Sequence, residues 1–236
     1  MGMATQIEED AQPRVPLSRE RILRAAVALA DEGGVEAASM RKIAQKLDVV
    51  PMALYRHVAN KGELLDGMID VVVGEIDPPE TEVDWKTAVR RRILSARRAL
   101  LRHPWTARAI ESRTDPTTAV IGYFDEMIGL FRAGGFSIEL THHALHAMGS
   151  RLLGFSQELF DDTPDLDPEM EVEMWRAMSD RYPNIAALIE IVMHEDATVV
   201  GGGCDDQFEF EFALDLMLDG LERRKGTVHR RPPTAP

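Results

Sequence analysis

The stretch Ser39–Lys61, SMRKIAQKLDVVPMALYRHVANK, constrains the fold of this 236-residue chain more than any other segment. Ser39 suits a helix N-cap, because its hydroxyl can accept from an otherwise unpaired first-turn N–H. Ile43, Ala44 and Leu47 then recur on one helical face. Asp48–Val49–Val50 supplies a three-residue turn. Pro51 fits the first position of a following helix, where its missing N–H costs nothing. Leu54 and Val58 anchor that helix, expected over Pro51–Val58, and leave Pro51, Met52, Ala53, Tyr55 and Arg56 outward or at its edges. Asn60 and Glu63 have capping-box spacing and open another helix that carries Leu64, Leu65, Met68, Ile69 and Val72 to about Ile76. Two short helices joined by a tight turn are the layout of a helix-turn-helix, whose second helix enters the DNA major groove.

The flanks support the same reading. Ser18 can cap an alanine-rich helix with the stripe Ile22, Ala26, Leu29 and Ala30, which Gly33–Gly34 ends. Net charge is −13, which looks wrong for a DNA binder until it is divided. Arg14–Lys61 holds nine Lys and Arg against five Asp and Glu, while residues 62–236 hold 18 against 32. A basic head on an acidic body meets nucleic acid by one end only. Tyr55, His57 and Lys61 can donate hydrogen bonds to phosphates. Lys61 stands in a first helical turn, where the macrodipole disfavours a cation unless an anion is bound there.

Beyond Pro78–Pro79 the long segments have helical period, near 84–103, 105–112, 116–133, 138–161, 183–195 and 206–225. The expected fold is all-α. It comprises a tail over 1–16, a helix-turn-helix domain over 17–76, a larger helical domain over 84–225 for effector binding and dimerisation, and a tail over 226–236. The tails read as disordered. No run of 18 apolar residues suggests a membrane span, and the acidic, polar N-terminus does not read as a secretory signal, so a cytoplasmic home is expected. Cys204 is the only cysteine, which excludes an internal disulfide and a cysteine-based zinc site.

A head this small needs two-fold pairing to hold DNA. In the last helix Phe210, Leu214, Met217, Leu218 and Leu221 form one apolar face, and Phe208, Phe212 and Leu216 another. The helix at 138–161 adds a small-residue strip of Ala147, Ser150 and Gly154. Two such helices from each subunit would build a four-helix interface, with Phe210, Leu214, Met217, Leu218 and Leu221 as its apolar face. Candidate effector-pocket residues are the large side chains of the middle helices: His103, Trp105, Phe124, Met127, Ile128, Phe131, His142, His146, Met148, Phe155, Trp175 and Met178. Twelve methionines in the chain favour an adaptable apolar cavity.

GVEAASMRKIAQKLDVVPMALYRHVANKGELLDGM closely resembles the DNA-binding domain of the tetracycline-repressor (TetR) family, over roughly Ser18–Ile76. The resemblance implies that Ser39 is a phosphate-contacting N-cap and that Arg41, beside Met40 at the front of its helix, reaches a base edge. It places Pro51, Met52 and Ala53 at the base-facing start of the recognition helix, and Tyr55, His57 and Lys61 on the backbone. Asp48 replaces the family's usual glycine, but aspartate tolerates a left-handed turn. DWKTAVRRRILSARRALLRHPWTARAI, GLFRAGGFS and FEFALDLMLDGLE resemble the family's C-terminal domain more loosely, over about 84–225. That implies a body dimerising through its last long helices, with an effector whose binding changes the separation of the two recognition helices. Positions matching the family's tetracycline–magnesium ligands are not histidine, which argues against tetracycline itself.

Two other readings compete. Glu139 and His142 have the E-x-x-H spacing of metal-carboxylate helix bundles, and His146 lies on the same face. The nearest second copy, Glu190 to His194, is one residue too long. A purely structural helical dimer leaves the basic head unexplained. The expected protein is therefore no enzyme and needs no metal or cofactor. It is a one-component regulator, a repressor that leaves a palindromic double-stranded operator when a small molecule of unknown identity binds its body.

Overall fold

A computed structural model describes residues 16–154, 181–184, 187 and 206–226. The predicted tails, apart from Pro16 and Gly226, lie outside these residues. So do Phe155, Trp175, Met178, Glu190, His194 and Cys204. The regular structure of the described residues is helical throughout, with no strand among them. Their helices are α1 (Arg19–Gly33), α2 (Met40–Lys46), α3 (Pro51–Leu54), α4 (Lys61–Val73), α5 (Trp85–Arg102), α6 (Trp105–Glu111), α7 (Thr118–Ala133), α8 (Ile138–Gly154) and α9 (Asp206–Arg224), with a single 3-10 turn at Val35–Ala37. None of these helices is long and apolar enough to cross a membrane.

The described chain divides into two compact units, one of residues 16–77 and 98–123, the other of 78–97 and 124 onward. α5 gives its residues through Arg97 to the second and the remainder to the first. The first unit therefore includes α6, which lies outside the predicted 17–76 span.

Local chemistry sets the ends of the first unit's helices. Ser18 Oγ accepts from Arg21 N–H (3.2 Å), and Ser39 Oγ from Lys42 N–H (3.4 Å). Asn60 Oδ1 accepts from Glu63 N–H (2.9 Å), and Glu63 reaches back to Ala59 N–H (2.8 Å), one residue before the cap. Asp48 takes φ 53°, the left-handed conformation its turn requires. The unit's core joins Ile22, Ala26 and Ala30 of α1 to Ile43, Leu54, Val58, Leu64, Met68 and Ile69, and extends to Ala99, Trp105, Ala109 and Val120. α1 and α4 approach closely at Gly67, where a Cβ would stand 2.6 Å from Leu23.

The second unit is built on a polar zipper between α5 and α9. Asp84 caps α5, accepting from the N–H groups of Lys86 and Thr87 (both 3.1 Å). Trp85 Nε1 donates to Glu222 (2.7 Å), Lys86 pairs with Asp219, and Arg90 holds both Asp215 (2.7 Å) and Glu211 (2.6 Å). Arg97 donates to Gln207 (3.2 Å) and lies over the Phe210 ring, 4.3 Å from its centre. Trp85 also packs on Phe131 and Phe136, at 5.8 and 4.5 Å between ring centres. Gly134 leaves the room for that indole.

The zipper orients α9, and with it overturns one expectation. Phe210, Leu214 and Leu218, predicted as dimer contacts, are 1%, 1% and 0% exposed within one chain. They have no surface to offer a partner, and Met217 and Leu221 are only half-exposed. The face left outside is Phe208, Phe212 and Leu216, at 59%, 54% and 55%. α8 packs beside α9 and leaves His142, His143, His146 and Ala147 exposed.

Candidate nucleic-acid interface

In the first unit, α3 is held from below by two side chains. Leu54 and Val58 are fully buried, while Val50, Met52 and Tyr55 are 68%, 73% and 47% exposed. Pro51 occupies the first turn of α3. The α-helical ladder is shorter than the predicted Pro51–Val58 and ends at Leu54. The chain continues in turns, with His57 N–H and Val58 N–H both donating to Leu54 O (2.9 and 3.0 Å). Leu54 and Val58 therefore still fall on one side and the apolar ridge on the other.

Basic side chains lie on α2, just after α3 and at the start of α4. Ser39, Arg41, Lys42, Arg56 and Lys61 are all exposed, and Met40, Ala53 and His57 are partly so. Among the described residues, Arg41, Lys42, Arg56 and Lys61 have no carboxylate within salt-bridge distance, whereas Lys46 pairs with Glu32 (3.2 Å). The basic side chains of α5 behave in the opposite way. Lys86, Arg90, Arg91, Arg92, Arg98 and Arg102 each face an acidic partner. Charge that is paired within the fold is unavailable to a polyanion; charge left unpaired beside an apolar ridge is available to one. Unpaired cations are the kind of group that phosphates attract, and exposed apolar side chains are the kind that can contact thymine methyls.

All ten residues expected to meet DNA thus lie on α2, α3, the turns flanking them and the start of α4. The expected effector-pocket residues do not come together in this way. His103 and Trp105 belong to the first unit, where both make hydrogen bonds to Asp31 (2.8 Å each). Phe131 is fully buried against Trp85 and Phe136. Met127 and Met148 are buried in the second unit, Ile128 is half-buried, and Phe124, His142 and His146 are exposed. The His142 and His146 rings lie 4.5 Å apart between centres, but no three His, Cys, Asp or Glu side chains gather as a metal site would need among the described residues.

Sequence reasoning missed the carboxylates that organise the first unit. Asp66 forms a two-point pair with Arg113 (2.7 and 3.0 Å), and Asp70 accepts from Ala119 N–H (3.3 Å). Asp77 pairs with Arg98 (2.7 Å), and Glu75 with Arg102 (2.6 Å) and His103 (3.2 Å). Burial pushes the Glu75 carboxyl up. The hydrogen bonds from Arg102 and His103 more than offset this and leave it below its ordinary value.

Comparison with known proteins gives two adjoining family matches. The family described as "Bacterial regulatory proteins, tetR family" matches residues 22–68, and "Tetracyclin repressor-like, C-terminal domain" matches residues 78–225. The HTH-type transcriptional repressor DrrR1 of Streptomyces coeruleorubidus is 29% identical over 223 residues, covering 89% of this chain and 79% of that protein. The Streptomyces coelicolor TetR family protein ActR, solved in complex with actinorhodin, is 26% identical with a TM-score of 0.66, covering 90% of this chain and all of that one. A TetR protein from Acinetobacter baumannii AYE, solved in complex with minocycline, is 26% identical with a TM-score of 0.62, covering 92% and 100%.

Proposed function

This chain belongs to the tetracycline-repressor family, and from that premise we propose which of its residues hold DNA and which pair two subunits. The protein is a one-component, ligand-responsive, DNA-binding transcriptional repressor that acts as a dimer on a double-stranded operator. The observation that supports the residue assignment best is the exposed ridge of Val50, Met52 and Tyr55 in the same unit as Arg41, Lys42, Arg56 and Lys61, four exposed cations that face no carboxylate among the described residues.

Pro51, Met52 and Ala53 contact base edges, chiefly by apolar contact. Arg41 supplies the directional hydrogen bonds. Ser39, Tyr55, Arg56, His57 and Lys61 hold the phosphates, with Met40 packing at the front of α2. The subunits pair through the outward face of α9, Phe208, Phe212 and Leu216, together with the exposed face of α8 that includes Ala147. The effector sits in the second unit near Met127, Ile128 and Met148. Since similar structures hold actinorhodin and minocycline, these are the first compounds to titrate. Regulators of this family are in general non-enzymatic. We read this chain likewise as acting without catalysis, in the cytoplasm where chromosomal DNA lies.

Selection of bound fragments from sheared genomic DNA tests the assignment. Wild type should enrich a palindromic sequence, and Met52→Glu, which places a carboxylate on the ridge, should enrich none while melting as wild type does. Equal enrichment by Met52→Glu would remove the ridge from the interface.

A further inference from the structure

One histidine in the first unit stands between carboxylates from two different elements. His103 lies between α5 and α6, with its side chain 10% exposed. Its Nδ1 is 2.8 Å from Asp31 Oδ1 on α1, and its Nε2 is 3.2 Å from Glu75 Oε2, two residues beyond α4. Ionised carboxylates only accept hydrogen bonds. Both contacts therefore exist together only when both ring nitrogens carry protons, as in the imidazolium.

The groups facing the ring are defined. α1 contributes Asp31, whose Oδ1 also accepts from Trp105 Nε1 of α6 (2.8 Å). The segment after α4 contributes Glu75, whose Oε2 also accepts from Arg102 of α5 (2.6 Å). The other ties between the α4 segment and residues 98–119 use Asp66, Asp70, Arg113, Asp77 and Arg98. Histidine is the only residue type in this set whose charge ordinarily changes near neutral pH.

We propose that His103, as the imidazolium, is a positioning residue for operator binding: it fastens α1 and the end of α4 to the α5–α6 junction, and operator affinity falls when the ring gives up its proton. The inference rests on the reading that this unit binds operator DNA. A neutral ring keeps one carboxylate and releases the other. The freed helix end must then be ordered again when DNA binds, and that ordering weakens affinity.

The test is fluorescence anisotropy of the full chain on the duplex recovered by genomic selection, at constant ionic strength. Wild-type affinity should fall about tenfold between about pH 6 and about pH 8.5, the scale of one lost charge-assisted hydrogen bond across the range where histidines change charge. His103→Gln should bind at the weak level throughout. His103→Arg, a permanent cation, should recover affinity and stay flat with pH. His57→Gln removes a proposed phosphate contact and should lower affinity at every pH, yet the fall in affinity with rising pH should remain. Should His103→Gln fail to melt cooperatively, Glu75→Gln, which deletes one arm, serves in its place and should lose the response. A pH response that survives His103→Gln or Glu75→Gln, or one abolished by His57→Gln, overturns the proposal. Absence of sequence-selective binding at every pH would instead sink the operator reading on which it rests.

Discussion

Arg41 and Lys61 are both exposed and face no carboxylate among the described residues, yet they should fail differently when truncated. With Arg41 in its proposed role at a base edge, Arg41→Ala should weaken operator binding by about 1–3 kcal/mol while sparing unrelated duplexes. With Lys61 in its proposed role at a phosphate, Lys61→Ala should weaken binding on all sequences and lower the salt slope by about 1. Paired titrations on operator and scrambled DNA separate the two, and equal losses on both duplexes for Arg41→Ala would deny it a base. Gly67 has a different duty. A methyl there meets Leu23 of α1 at 2.6 and 2.9 Å, so Gly67→Ala should destabilise the first unit by about 1–3 kcal/mol. Denaturant unfolding measures this, and an unmoved midpoint would mean that Leu23 yields freely. At this scale much was legible in the sequence. Ser18, Ser39, Asn60, Pro51 and the turn at Asp48 act on atoms within a few residues of themselves. His103 was not, because Asp31 and Glu75 lie 72 and 28 residues away and carry no local signature.

Among the described residues the long helices followed their periodicity, while the predicted helix at 183–195 and the end of that at 138–161 lie largely outside them, and the facing of α9 did not follow. Its two apolar rows repeat at the same spacing, so period alone leaves either one to point inward. Gln207, Glu211, Asp215 and Asp219 decide the matter by meeting Arg97, Arg90 and Lys86 of α5, which turns Phe210, Leu214 and Leu218 into the protomer. Phe212→Glu should therefore give a folded monomer by sedimentation, whereas Leu218→Glu should not fold. A dimeric Phe212→Glu protein would move the interface elsewhere. The zipper also carries a pH dependence. Lys86 holds the Asp219 carboxyl below its ordinary value of 3.8, and Gln207, with Arg90 acting against burial, holds Glu211 below 4.5. Carboxylates lowered by folding stabilise the folded state above their ordinary values and lose that contribution as pH falls through the lowered ones. Acid should therefore loosen α9 below about pH 4.5, the ordinary value for Glu211. Lys86→Met with Arg90→Met should shrink that acid loss, as followed by circular dichroism, and an unchanged acid midpoint would deny the zipper its role.

Across the molecule, charge is sorted by what it meets. Among the described residues, Arg41, Lys42, Arg56 and Lys61 are exposed and face no carboxylate, whereas Lys86, Arg90, Arg91, Arg92, Arg98 and Arg102 along α5 each pair with one inside the fold. A net charge of −13 is therefore compatible with DNA binding, because acidic side chains neutralise the body's own arginines as well as outnumbering them. The division of the chain into a basic head and an acidic body was visible in composition. The inclusion of α6 and residues 98–123 in the first unit was not, since it depends on Ala99, Trp105, Ala109 and Val120 joining a core set by residues far upstream. Footprinting of the purified dimer on its selected duplex tests the whole account most directly. Two protected half-sites related by a dyad, with centres about 10 base pairs or a multiple apart, are the predicted result. Protection without sequence preference, or of a single asymmetric site, would contradict it.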